Sequence, residues 1–263
     1  MTIDKSERRV RAMFAQISGR YDFLNHFLSA GTDLYWRWRT ARAAGKLEGP
    51  VLDICTGTGD LAFALQKRLG DETRIIGTDF THEMLVLAVR KAGRKAANDG
   101  IPEAITFLEA DAQALPFPDD AFGLVTVAFG LRNVTDTRRG LAEMIRVCRP
   151  GGRVFILEFS RPQVPILGGV YGWYFRNVLP RVGQFIARNK QSAYEYLPES
   201  VGEFPSGREL TRLMEDCGLA EASDTPLTFG VATLYRGRKP VERTGAAKRD
   251  REMSHQLEPA VTQ

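Results

Sequence analysis

From Val51 to Asp60 the chain reads Val-Leu-Asp-Ile-Cys-Thr-Gly-Thr-Gly-Asp, an apolar run that meets an acid and then a glycine turn. The run predicts a buried strand, and Leu61–Leu69 behind the turn predicts a helix. A glycine pair at such a junction lets backbone approach a ligand closely and aims helix N-terminal amides at it. The next strand, Arg74–Thr78, ends in Asp79, 20 residues beyond Gly59. An acid at that place accepts hydrogen bonds from both hydroxyls of a ribose. The loop therefore predicts a cofactor that carries a nucleoside.

Alternation continues downstream. Strands are expected at Val51–Ile54, Arg74–Thr78, Ile105–Glu109, Gly123–Ala128 and Arg153–Phe159, with helices at Leu61–Leu69, His82–Asn98 and Arg138–Cys148. Apolar strands that alternate with helices make a parallel sheet covered on both faces, an α/β architecture. A helix over Gly207–Cys217 then leads to strand-like runs near Glu221–Pro226 and Val231–Arg238, spaced for an antiparallel hairpin. Residues Arg8–Lys46 read as helical and aromatic, with Phe14, Tyr21, Phe23, Phe27, Tyr35, Trp36 and Trp38. Because they precede the first strand, they are expected to cap the sheet. The organisation is thus a helical cap over 1–48, a main domain over 49–239 and a polar, aperiodic, disordered tail over 240–263.

Composition narrows the partners. A net charge of +4 spread among 32 acids does not indicate nucleic-acid binding. Cys55, Cys148 and Cys217 are odd in number and far apart, which argues against a disulfide framework or zinc knuckle and suits a reducing cytoplasm. The three histidines are too dispersed in sequence to supply a metal site. Met1–Arg9 carries no apolar run, so no secretory signal is read, and no stretch reaches the ~20 uncharged residues that cross a bilayer.

Gly57-Thr58-Gly59-Asp60-Leu61-Ala62 matches the dinucleotide pattern G-x-G-x-x-A, with Asp79 as its ribose acid. Three features pull away from a dinucleotide. Asp53 lies at the strand end, where it can meet a ligand ammonium or order the glycine loop. The third strand runs into Glu109-Ala110-Asp111-Ala112, which places an acid where an adenine amine could donate. The sheet ends in a hairpin, as a reversed last strand requires. Together these features resemble the S-adenosylmethionine-dependent methyltransferases of class I, whose sheet has seven mostly parallel strands and a reversed last one. Their cofactor offers an ammonium, a ribose and an adenine amine to acids at three strand ends. Cys55 stands where the broad pattern D-x-G-x-G-x-G has its first glycine.

The resemblance narrows further along. Asp111-Ala112-Gln113-Ala114-Leu115-Pro116-Phe117-Pro118 precedes Phe129-Gly130-Leu131-Arg132-Asn133-Val134-Thr135-Asp136. Arg149-Pro150-Gly151-Gly152, Leu157-Glu158-Phe159-Ser160 and Ser192-Ala193-Tyr194-Glu195-Tyr196-Leu197-Pro198-Glu199-Ser200 follow, and Tyr21-Asp22-Phe23-Leu24-Asn25 lies near the start. In this order the strings are similar to the quinone C-methyltransferases of menaquinone and ubiquinone biosynthesis, over roughly Arg8 to Lys239. That family tolerates a non-glycine at the Cys55 position. The resemblance implies methylation of a ring carbon on a polyprenylated quinol such as demethylmenaquinol. By matched position its cofactor contacts fall on Thr58, Asp79, Asp111 and Ala112, beside Gly57 and Gly59 of the loop and Asp53. Ala128 stands where some members carry a pocket serine. The residues that handle the quinol proton fall on Tyr21, Arg132 and Asn133.

A ring carbon attacks a sulfonium methyl only once a ring hydroxyl gives up its proton. Arg132 and Asn133 are expected to bind the quinol oxygens, with Arg132 favouring the phenolate by its fixed charge. Arginine stays protonated, so Tyr21 or a water is the expected proton acceptor. His82 reads as a surface residue of a first helical turn, and His26 either faces the substrate mouth or packs. Within an insertion over about 161–205, the apolar residues from Val164 to Ile186 recur at helical spacing around Pro180, with Arg176 and Arg181 among them and Arg188 just beyond. It reads as a lid, or as an apolar entry for the isoprenoid tail that touches anionic lipid at the inner face of the cell membrane. Other readings stay open: a methyltransferase of another lipid or small phenol, a non-catalytic scaffold, and a homodimer as the assembly.

Overall fold

The computed structural model describes residues 7–99, 105–160 and 200–241 of the 263. The run from Val164 to Ile186 and the tail beyond Val241 lie outside them. Helices α1 (Glu7–Ile17), α2 (Tyr21–Leu28) and α3 (Thr32–Ala43) come first. Alternation begins with β1 (Val51–Ile54), α4 (Asp60–Leu69), β2 (Ile75–Asp79), α5 (His82–Asp99) and β3 (Ile105–Glu109). It continues through β4 (Phe122–Ala128), α6 (Thr137–Val147), β5 (Cys148–Phe159), α7 (Arg208–Asp216), β6 (Ala220–Leu227) and β7 (Ala232–Arg238).

The seven strands form one sheet in the order β3-β2-β1-β4-β5-β7-β6. Strands β1 to β5 pair in parallel, and β7 runs antiparallel to both β5 and β6. This is the expected class I architecture with its reversed last strand and terminal hairpin. Successive residues point to opposite faces, and both faces are apolar as a doubly covered sheet demands. Leu52, Ile54, Val125, Val127, Val154 and Ile156 pack with α6 and α7 on one side. Val51, Leu124, Phe155 and Leu157 pack on the other with Trp36 of α3 and Leu61 and Leu65 of α4.

One boundary moves by several residues. Arg149-Pro150-Gly151-Gly152 reads as a turn, yet β5 starts at Cys148, which pairs with Phe122 before a register shift at Leu124–Arg153. Gly151 donates its N–H to the Lys239 carbonyl, and Lys239 donates back to Gly152, so the turn residues join the ladder through the chain after β7.

Strand order reverses between β1 and β4, and the crevice that such a switch opens at the strands' C-terminal ends is where ligands bind in sheets of this type. Gly130, just past β4, lets the two sides of that crevice meet. A Cβ on Gly130 would stand 2.3 Å from the Cβ of Cys55, which itself takes a left-handed φ of 49°. We predict that Gly130→Ala, by forcing these loops apart, lowers stability by about 2 kcal/mol, read as an earlier urea midpoint at unchanged m-value.

Candidate active site

The crevice opens into a cavity at the C-terminal ends of the parallel strands. Its lining draws on each strand end: Cys55 and Gly57 after β1, Asp79 and Thr81 at β2, Asp111 to Gln113 after β3, and Ala128 to Gly130 and Asn133 after β4. Phe14 of α1 reaches in from the cap. Five of the residues singled out from the sequence as cofactor contacts, Gly57, Asp79, Asp111, Ala112 and Ala128, therefore share one wall with Asn133.

Asp79 organises the glycine turn. Its carboxylate accepts the Gly57 N–H at 2.9 Å and the Thr81 N–H at 2.8 Å. Burial pushes its pKa up, and these backbone donors hold it back. Each oxygen keeps a lone pair for a further donor. Asp111 accepts the Gln113 N–H at 2.9 Å, fixing the turn that leads away from β3. Gly59 sets the other side of the loop, with φ of 87° and Phe63 and Phe107 packed where a side chain would project.

Asp53, Thr58 and Arg132 do not line the cavity. Asp53 is buried under the loop, where it accepts Thr56 Oγ1 at 2.6 Å and Thr126 Oγ1 at 2.7 Å. Of the two roles open to it from sequence, this geometry is the ordering of the glycine loop. Burial raises its carboxyl to about 6 against those two hydroxyl bonds. Thr58 turns outward to the cap, donating to Asp22 Oδ1 at 2.5 Å and accepting from Lys91 Nζ at 3.0 Å. Lys91 also bridges Asp22 and Asp60, at 2.8 and 2.6 Å.

Arg132 points inward. Its Nη1 donates to Glu158 Oε1 at 2.8 Å and to the Phe129 carbonyl, while the guanidinium lies 5.2 Å from the Phe159 ring centroid. Glu158 is fully buried, and burial raises its carboxyl while Arg132 opposes that rise. Asn133 donates its Nδ2 to the Phe129 carbonyl at 3.4 Å, and its Oδ1 is buried with no partner among the described residues. Tyr21 opens α2, with its side chain outside the described atoms. His82 is a surface residue facing Glu109 at 3.4 Å.

Sequence reasoning gave no role to Glu158, Lys91 or Asp22. A lone charge at the end of the apolar strand Val154–Phe159 is a readable sign for Glu158, because only a buried partner makes it tolerable. Lys91 lies on the helical face of α5 among other basic residues, and nothing in its spacing marks it.

Acceptors at the ends of β2 and β3, a glycine loop opening α4 and an apolar wall suit a nucleoside with a charged appendage rather than a pyrophosphate. The fold agrees. A Thermotoga maritima protein described as a S-adenosylmethionine-dependent methyltransferase superposes with a TM-score of 0.61 at 19% identity, covering 88% of this chain and 99% of that one. A putative S-adenosylmethionine-dependent methyltransferase of Methanococcus maripaludis gives 0.60 at 15% identity, over 93% of this chain and all of the other. Fold and site define a class I methyltransferase that uses S-adenosylmethionine. More narrowly, the chain belongs to the ubiE/COQ5 methyltransferase family, whose model matches residues 1–239, and it is a C-methyltransferase. A Geobacter sulfurreducens ubiquinone/menaquinone biosynthesis C-methyltransferase is 44% identical over 238 residues, 90% of each chain. Demethylmenaquinone methyltransferases of Deinococcus radiodurans and Thermus thermophilus are each 45% identical, covering 90% and 87% of this chain and 95% and 100% of their own.

The raised Asp53 carboxyl has a measurable consequence. A folded pKa above the unfolded one means that the native state binds the extra proton, so stability falls as pH rises from about 4 to about 6. In Asp53→Asn that component of the slope disappears, and urea melts of the two proteins across this window give the difference directly.

Proposed function

We propose that this chain transfers a methyl group from S-adenosylmethionine to a ring carbon of a polyprenylated quinol, with demethylmenaquinol as the substrate. The observation that carries the reading is the Asn133 amide oxygen, buried in the cavity wall without a hydrogen-bond partner among the described residues. A buried acceptor left empty costs about 1–3 kcal/mol, and a phenolic hydroxyl is the donor that satisfies it. The curated names of relatives 45% identical over most of their length point to the same substrate.

The cofactor when bound supplies an electrophilic methyl on sulfur. The chain's own groups do the rest. Asp79 and Asp111 accept from ribose hydroxyls and the adenine amine, while Gly57 and Ala112 allow close approach. Ala128 leaves the wall beside them apolar. Asn133 orients the quinol ring by one oxygen, and rate comes largely from holding carbon and methyl in line. Arg132 acts through Glu158 and the Phe129 carbonyl, fixing the loop that carries Asn133, so we assign it a positioning role. Asp53 and Thr58 serve in the same way, one beneath the glycine loop and the other between that loop and the cap. Tyr21, next to Asp22 on α2, stays assigned on the family resemblance as a hydroxyl relay for the quinol proton rather than its final acceptor.

The cap also supports an apolar, membrane-borne substrate. Phe23 and Phe27 stack at 5.8 Å on α2, and Tyr35 and Trp38 at 6.0 Å on α3. With Leu34 these side chains are between 44 and 59% exposed. Aromatic rings beside Arg42, which covers Trp38 at 5.5 Å, suit the headgroup level of an anionic bilayer and the entry of an isoprenoid tail. No helix among the described residues is long and apolar enough to cross a membrane, so this contact is peripheral.

Labelled S-adenosylmethionine incubated with demethylmenaquinol, or with the ubiquinone precursor, is expected to place label in the lipid extract of the first. Label in neither extract, with cofactor binding intact by calorimetry, refutes the quinol reading. For the cap, Phe27→Ser with Trp38→Ser is expected to cut sedimentation with phosphatidylglycerol vesicles at least fivefold; unchanged sedimentation removes the aromatic patch from the membrane contact.

A further inference from the structure

The most chemically capable group outside the cavity wall lies on the cap. His26 of α2 places Nδ1 2.7 Å from Asp33 Oδ2 of α3. Asp33 is buried, and its carboxylate is fixed from two further sides by Ser29 Oγ at 2.8 Å and Arg37 Nη1 at 2.7 Å. A carboxylate only accepts, so in the neutral ring the proton that faces Asp33 is on Nδ1 and the lone pair is on Nε2. Nε2 makes no hydrogen bond among the described residues, and the imidazole is 34% exposed. An acid-oriented imidazole with a free, accessible lone pair is the arrangement of a general base.

Its position is relevant to the reaction. Asp22 and His26 are one turn apart on α2 and share a face. Asp22 holds Thr58 of the glycine loop, and an Asp60 oxygen lies within 4.8 Å of His26 and Asp33 ligand atoms. Arg37, which holds Asp33, also covers the Phe129 ring of the cavity wall at 5.4 Å. The dyad therefore stands between the start of α4 and the end of β4, away from the Asp111–Gln113 end of the cavity. The charged groups around it are Asp22, Asp33, Arg37, Asp60 and Lys91. Burial acts to raise the Asp60 carboxyl, but Arg37 and Lys91 outweigh it and the net shift is downward. Asp60 therefore stays ionised beside the imidazole. Because Arg37 and Lys91 already balance Asp33 and Asp60, we read the cluster as a proton site rather than a cation site.

We propose that His26, oriented by Asp33, accepts the hydroxyl proton of the quinol. This rests on the quinol reading above. The O–H bond breaks, its proton goes to Nε2, and the electron pair stays on oxygen, raising the nucleophilicity of the ring carbon. Once that carbon is methylated, the hydrogen it bore leaves as a proton, and the C–H pair restores the aromatic ring. The imidazolium then returns its proton to the oxygen, so one proton is released per turnover.

The test uses the full chain with S-adenosylmethionine and demethylmenaquinol in detergent. His26→Ala is expected to lower kcat about 100- to 1,000-fold while cofactor Kd by calorimetry stays within threefold. Added imidazole should restore part of the rate, and the acid limb of the kcat/KM profile should vanish. Asp33→Asn should lower kcat with cofactor affinity kept, and nitrogen NMR of the cofactor-free protein should show the Nδ1–H tautomer of His26 lost in that variant. A kcat within threefold of the parent overturns the proposal. So does a large loss that keeps the acid limb and resists imidazole, which would make His26 a packing residue of the cap. If His26→Ala fails to bind cofactor, His26→Gln, which keeps the polar bulk, is judged by the same limb. A parent enzyme that binds cofactor but never labels the quinol removes the substrate reading itself, a result visible before any variant is made.

Discussion

Burying a carboxylate costs several kcal/mol unless donors surround it, and this sheet buries three at its C-terminal edge. Asp53, Asp79 and Glu158 are each at most 7% exposed. Each meets the cost by fixing a loop. Asp53 takes two threonine hydroxyls under the glycine turn, Asp79 takes the amides of Gly57 and Thr81, and Glu158 takes Arg132. The loops after β1, β2 and β4 thus cannot move without exposing a charge to an apolar interior. A cavity wall built on such loops is preorganised, which is what in-line transfer of a methyl group requires.

The division of labour between these acids was only partly legible in the sequence. Periodicity and glycine punctuation located every strand, because a parallel sheet covered on both faces demands continuous apolar runs. Spacing brought Asp79, Asp111 and Gly57 to one crevice, since the acid at each strand end is determined by register. Direction was a different matter. Arg132 lies in the most distinctive string of the chain and follows a ligand-facing strand end, yet it turns away from the cavity because Glu158, 26 residues on, waits there buried. Thr58 likewise sits inside the glycine motif but bonds to Asp22, 36 residues before it. Pairings across such separations have no local signature. The start of β5 at Cys148 was hidden for a similar reason: Pro150-Gly151-Gly152 has turn chemistry, and only the chain after β7 recruits it into the ladder.

The cap is tied to the loop that it covers. Asp22 joins Thr58 directly, and Lys91 joins Asp22 to Asp60, so a residue of α2 is bonded to the start of α4 through α5. Trp36 of α3 reaches the other side, donating to Thr228 Oγ1 at 2.7 Å and packing against Phe129 and Phe159. Helices that a sequence reading treats as an accessory therefore share hydrogen bonds with both the glycine loop and the hairpin.

That arrangement resolves two opposed demands on the N-terminal helices. The proposed polyprenylated substrate calls for greasy, solvent-facing side chains, whereas the proposed proton transfer calls for fixed charges in a partly dry setting. Helical periodicity lets α2 and α3 do both. Phe23, Phe27, Tyr35 and Trp38 occupy outward positions, while Asp22 pairs with Lys91, and Ser29, Arg37 and His26 converge on the buried Asp33 carboxylate. Were the aromatic face turned inward to add to the core, the polar face would lose its contact with the glycine loop. The exposed rings are thus the counterpart of the buried charge network on the same two helices, and each face is intelligible only with the other.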